Sequence, residues 1–149
     1  MPDNVYLGNP NLKKANTAIE FTQEQILEFM KCKEDPVYFA NNYIKIVSLD
    51  EGLTQFHPYH FQEKLINNFH ENRFNICKMP RQTGKSTTVV SYLLHYAVFN
   101  DSVNIGILAN KAATARELLG RLQTAYENLP KWMQQGIVAW NKGSLELEN

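Results

Sequence analysis

The stretch that most constrains this chain runs from Phe74 to Val98. "FNICKM" (Phe74 to Met79) is short, apolar-rich and bounded by polar residues, as a buried strand should be. "PRQTGKST" (Pro80 to Thr87) comes next. Behind it Val89, Val90, Leu93, Leu94, Ala97 and Val98 recur at the spacing of one helix face. Strand, glycine-containing loop and helix in that order predict a helix lying over a sheet, with the loop at its positive end.

The loop has its own chemistry. Gly84-Lys85-Ser86-Thr87 reads as the end of a phosphate-binding loop, although Met79 stands where such a loop opens with glycine. Consecutive amides at a helix start form a concave donor site, reinforced by the helix dipole. Gly84 lets phosphates approach the backbone. Lys85 would reach the β- and γ-phosphates, and Ser86 would offer its hydroxyl to Mg²⁺ with Thr87 beside it. Gln82 and Thr83 complete the cradle. Pro80 replaces the glycine turn with one of another kind. Arg81 adds a second cation, suited to binding ATP or to stabilising a transferring γ-phosphoryl group. The competing reading is a surface loop capping a helix.

The flanking pattern extends the same theme. "VNIGILA" (Val103 to Ala109) reads as a second strand, followed by a helix with Leu118, Leu119, Leu122, Tyr126 and Leu129 on one side. "GIVAW" and "SLELE" read as two short closing strands. Upstream, Thr22 and Gln25 form a capping-box signature, and Asp35-Pro36 gives an N-cap with proline at the first helical position. A third helix is predicted from Pro58 to about His70, with Phe61, Leu65, Ile66 and Phe69 on its apolar face. Gln62 lies on that face too, and a buried amide needs a partner. The first twenty or so residues read as a loop or extended arm. The expected fold is α/β with a largely parallel sheet: an arm and accessory helices over 1–57, then a nucleotide-binding core over 58–149, in a single domain overall.

Bulk properties exclude several classes. Fifteen Lys and Arg balance 15 Asp and Glu, so the chain as a whole carries no basic nucleic-acid footprint. No apolar run reaches the roughly 18 to 20 residues of a membrane span, and the polar, acidic "MPDNVYLGNP" is no signal peptide. Cys32 and Cys77 read as two buried free thiols of a reducing compartment. His57-x-x-His60 lacks the partners a zinc site needs.

"PRQTGKST", with arginine inside the loop and its opening glycine missing, resembles the phosphate loop of the large terminase subunit of tailed bacteriophages. "GNPNLKKAN", "KCKEDPVYFANNY", "NIGILANKAATA" and "LPKWMQQGIVAWNKGSLELEN" sharpen the likeness to the N-terminal ATPase region of the T-even-like group, over nearly all 149 residues. The resemblance implies a P-loop NTPase fold similar to the RecA and helicase core. It implies that Gly84, Lys85 and Ser86 serve ATP and Mg²⁺, that Arg81 is catalytic or senses phosphate, and that Gln62 contacts adenine through its amide. His57 departs from a second glutamine of the family's base pocket. Partners implied are double-stranded DNA, the portal protein and the small terminase subunit, in a ring assembled on the portal within the cytoplasm of an infected bacterium.

An ATPase of this class also needs an apolar strand ending in Asp-Glu, to order Mg²⁺ and activate water. No such strand follows Lys85. "KIVSLDEG" (Lys45 to Gly52) mimics one but precedes the loop, and reads as strand and turn. In "SLELE", Glu146 and Glu148 fall on one face of a half-exposed strand. The expectation is a fragment, from a shortened chain or a split gene, that binds nucleotide without turning it over. The alternative is a helicase-like, nucleic-acid-dependent ATPase domain; a small kinase or a non-catalytic assembly module fits fewer of the residues.

Overall fold

A computed structural model describes residues 4–149 of the chain; residues 1–3, the beginning of the expected arm, lie outside the described residues. The chain begins with an antiparallel pair, β1 (Val5–Tyr6) and β2 (Asn9–Lys13). Helices α1 (Gln23–Glu34) and α2 (Pro36–Tyr43) follow, then a hairpin of β3 (Lys45–Ser48) and β4 (Gly52–Gln55). Helices α3 (His60–Glu71), α4 (Lys85–Phe99) and α5 (Ala112–Glu127) lead to a closing hairpin, β5 (Ile137–Trp140) with β6 (Leu145–Leu147).

Local signals set the helix starts. Thr22 Oγ1 accepts from the Gln25 amide at 3.1 Å and Gln25 Oε1 accepts from the Thr22 amide at 3.1 Å, so both halves of the capping box form. Asp35 Oδ1 accepts from the Tyr38 amide at 2.9 Å, capping α2 with Pro36 at its first position. Helix α4 lies at the centre. Val90, Leu94 and Val98 are buried in one cluster with Cys32 of α1, Phe39 of α2, Ile66 of α3 and Tyr126 of α5. The cluster therefore draws on both sides of residue 57. Phe99 meets the rings of Phe29 and Phe39 edge-on at 4.9 and 5.3 Å. Trp132 and Trp140 pack beside Tyr43 and Tyr126.

The largely parallel sheet is not formed. The described strands make three separate two-stranded antiparallel sheets, and the parallel contact among them is an isolated bridge between Lys14 and Ile137. Both segments expected as the core strands, Phe74 to Met79 and Val103 to Ala109, run without ladder partners. Phe74 is 83%, Ile76 101% and Leu108 90% exposed. A strand is defined by a neighbour about 4.8 Å away that takes its N–H and C=O groups. Neither segment has one, so apolar composition alone does not make them strands. Val103 to Leu108 still alternates half-buried and exposed residues, with Val103, Ile105 and Ile107 turned inward. "GIVAW" and "SLELE" do form strands, but they pair with each other.

Two further expectations change, and a third holds. Cys77 is exposed, not buried, because it sits on the unpaired segment before the loop; Cys32 is buried, and burial pushes its thiol up to about 12. The N-terminal arm is a hairpin strapped to the end of the chain. Gln134 accepts from the Lys13 amide at 2.9 Å and donates to Asn11 O at 2.9 Å. Glu148 accepts from the amides of Asn16 and Gly136, both at 2.7 Å, and pairs with Lys13 Nζ at 3.4 Å. Asp50 and Glu51 lie at the exposed tip between β3 and β4, in the strand-and-turn arrangement that "KIVSLDEG" suggested. No described helix is long and apolar enough to cross a membrane.

Candidate functional site

Residues Pro80 to Thr87 form a turn that ends on α4. Gly84 caps the helix at φ 70° and ψ 22°, a left-handed conformation that favours glycine. Gln82 also has positive φ, at 60°. For a residue with a Cβ that conformation costs roughly 1 kcal/mol or more, which neighbouring contacts must offset. The paired left-handed turns wrap the chain around the helix start. The first helical bond runs from the Thr88 amide to Gly84 O at 3.0 Å. The amides of Lys85, Ser86 and Thr87 therefore have no acceptor within the helix, as at any helix N-terminus.

Four hydroxyl groups stand in this region, and their bonding separates them. Thr83 Oγ1 donates to Pro80 O at 3.0 Å, and Thr88 Oγ1 donates to Gly84 O at 2.8 Å. Both are tied down as loop braces. Ser86 and Thr87 make no side-chain hydrogen bond among the described residues, and Ser86 is exposed. Ser86 is thus the free hydroxyl at the second helical position.

Lys85 folds back over the loop, and its Nζ donates to Met79 O at 3.1 Å. That bond joins the loop's entry to its exit and occupies one of three ammonium N–H groups. Arg81 is exposed on the same turn. Neither cation belongs to an ion pair among the described residues. Two cations outside any described ion pair and three free amides lie along one short stretch of chain, a field suited to an anion. Below Lys85 and Ser86 lies a cavity of about 130 Å³ walled by Val89, Leu93, Ile107 and Leu118. A larger cavity of about 600 Å³ sits beside Asn100, Arg116 and Glu146. It shares Ile107 with the smaller cavity and reaches the far end of α4 at Ala97.

Gln62 comes to the loop from α3. Its Oε1 accepts from the Tyr59 amide at 2.8 Å, and its Nε2 donates to Thr83 O at 3.1 Å. It is 3% exposed. A Cβ at Gly84 would overlap Gln62 Nε2, so this glycine serves close packing as well as backbone conformation. Sequence reasoning saw that Gln62 needs a partner and looked to a ligand for it. Its place three residues after Tyr59, the reach-back position of a capping box, was the available signal for the Tyr59 bond. The Thr83 bond carried no sequence signal. His57 is exposed beyond the start of α3. No group of three His, Cys, Asp or Glu side chains placed to hold a metal ion is found among the described residues. No protein-family model matches the chain.

Proposed function

We propose that this chain is the ATP-binding part of a viral DNA-packaging motor of the large-terminase type. The observation that carries the reading is Gly84 in its left-handed conformation at the head of α4. It presents the amides of Lys85, Ser86 and Thr87 to a polyphosphate beside the free cations of Lys85 and Arg81. The sequence likeness over the loop and its flanks supplies the link to DNA packaging. The reading rests on the loop and not on a parallel-sheet core, which the described residues do not form.

In the bound state Lys85 Nζ has two further N–H groups for the β- and γ-phosphate oxygens while one stays on Met79 O. Arg81, exposed on the same turn, is the second cation available to the phosphates. Mg²⁺, when present, neutralises phosphate charge, and Ser86 Oγ is the side-chain oxygen available to it. The chain's own contribution is binding and orientation. Hydrolysis, double-stranded DNA, a portal, a small subunit, a ring assembly and the cytoplasm of an infected bacterium belong to the motor so proposed. Titration calorimetry with MgATP tests the site: the wild-type chain binds, and Lys85→Ala does not. Equal affinity of the two proteins removes the proposal.

A further inference from the structure

We infer that Gln62 is a positioning residue for the phosphate loop, so that its contribution to affinity is delivered to the polyphosphate whatever base is attached. The inference rests on the loop being the ligand site proposed above. Three observations carry it. Both ends of the Gln62 amide are engaged by protein, at Tyr59 N and Thr83 O. The side chain is almost wholly buried. Its Nε2 also occupies the space under Gly84 that a side chain there would need.

The geometry gives the amide two tasks at once. Oε1 satisfies an otherwise free donor at the start of α3, which fixes the side chain's direction. Nε2 then holds Thr83 O, the carbonyl just before the left-handed Gly84. That carbonyl cannot turn toward the anion, and the following amides stay pointed at it. A carbonyl swung into an anion site would both remove donors and repel the ligand. Helix α3 therefore acts as the wall against which the loop is set. The same bond links α3 to α4 across the loop, so movement of α3 would be felt at the phosphates.

Gln62→Glu separates this role from base recognition. It keeps an acceptor for the Tyr59 amide and replaces the donor facing Thr83 O with an oxygen. Calorimetric dissociation constants are measured for MgATP, MgGTP and inorganic tripolyphosphate, on wild type, Gln62→Glu and Gln62→Ala, with thermal unfolding followed alongside. The expected result is weakening of all three ligands by the same factor, about tenfold, as for loss of one positioned hydrogen bond. In Gln62→Glu the deficit relative to wild type should shrink between about pH 8 and about pH 5, as the buried carboxyl takes up a proton and can donate to Thr83 O. A merely structural loss has no reason to recover that way. Should Gln62→Glu fail to fold, Gln62→Ala carries the comparison of ligands. Weakening of ATP alone, with GTP and tripolyphosphate unchanged, assigns Gln62 to adenine and overturns the inference; unchanged binding of all three overturns it as well. Failure of the wild-type chain to bind any of the three instead overturns the nucleotide reading beneath it.

Discussion

His95 Nε2 lies 2.8 Å from the main-chain oxygen of Cys32. In the last turn of α1 that oxygen would ordinarily accept from the residue four further on, which is Pro36 and has no N–H. His95 supplies the missing donor from α4. A carbonyl can only accept, so the proton sits on Nε2 and the lone pair on Nδ1. Nδ1 is buried without a partner, and so is Ser91 Oγ one turn earlier on α4. Proline at the start of α2 thus fixes the tautomer of a histidine in the core.

This arrangement makes stability depend on pH. Burial pushes His95 down to about 4 from an ordinary 6.5, and the neighbouring His70 adds to the shift, while the bond to Cys32 opposes it. Above about 6.5 neither folded nor unfolded chain protonates this ring. Between about 6.5 and about 4 the unfolded chain takes up a proton that the folded chain refuses, so stability falls as pH falls. The slope should approach 1.4 kcal/mol per pH unit, about 3 kcal/mol in all. Urea unfolding at a series of pH values measures it. His95→Leu should be less stable at neutral pH by about 1–3 kcal/mol, since Cys32 O is left unsatisfied, and should lose this slope.

Lys85 is expected to matter for ligand far more than for folding. Its bond to Met79 O is one half-exposed hydrogen bond, so Lys85→Met should change unfolding free energy by no more than about 1 kcal/mol. Loss of the ammonium from the phosphates should weaken MgATP by about tenfold to a hundredfold. Chemical unfolding and calorimetry on the same sample separate the two effects. Binding lost only in step with unfolding would mean that the lysine is a brace.

Glu148 clasps the N-terminal arm. Partial burial works to raise its carboxyl, but bonds from the Asn16 and Gly136 amides and the charge of Lys13 outweigh it and hold the group below its ordinary value of 4.5. A folded value below the unfolded one means stability present above about pH 4.5 and lost as pH falls through the folded value. Glu148→Gln keeps one acceptor but turns an amide NH₂ toward one of the two donors. It should cost about 1–2 kcal/mol, and amide exchange should quicken first at Asn16 and Gly136.

The unpaired segments make the opposite prediction. Ile76 and Leu108 are exposed apolar residues on extended backbone whose hydrogen-bonding groups lack ladder partners. Such segments invite edge-to-edge association. Ile76→Lys and Leu108→Lys should each leave the unfolding midpoint within about 0.5 kcal/mol of wild type. Both should lower light scattering at high protein concentration. A large loss of stability in either would show that the segment is packed.

The helices were legible because their signals are local. Thr22 with Gln25 and Asp35 with Pro36 set their caps within four residues. The loop ending in Gly84-Lys85-Ser86 lands on a helix N-terminus because the apolar stripe behind it has helical period. What lies beside a given segment was not legible, since it depends on residues far away in the chain. "FNICKM" has a strand's composition and no neighbour, whereas the arm, read as loop, finds β1, β2 and Gln134. Gln62 sits on α3 by periodicity, but only the approach of α3 to α4 brings its amide to Thr83 O. The sequence determined which groups need partners. Tertiary structure decided which groups meet them, because hydrogen bonds and packing act over a few ångströms while the periods that signal them carry no information about distance.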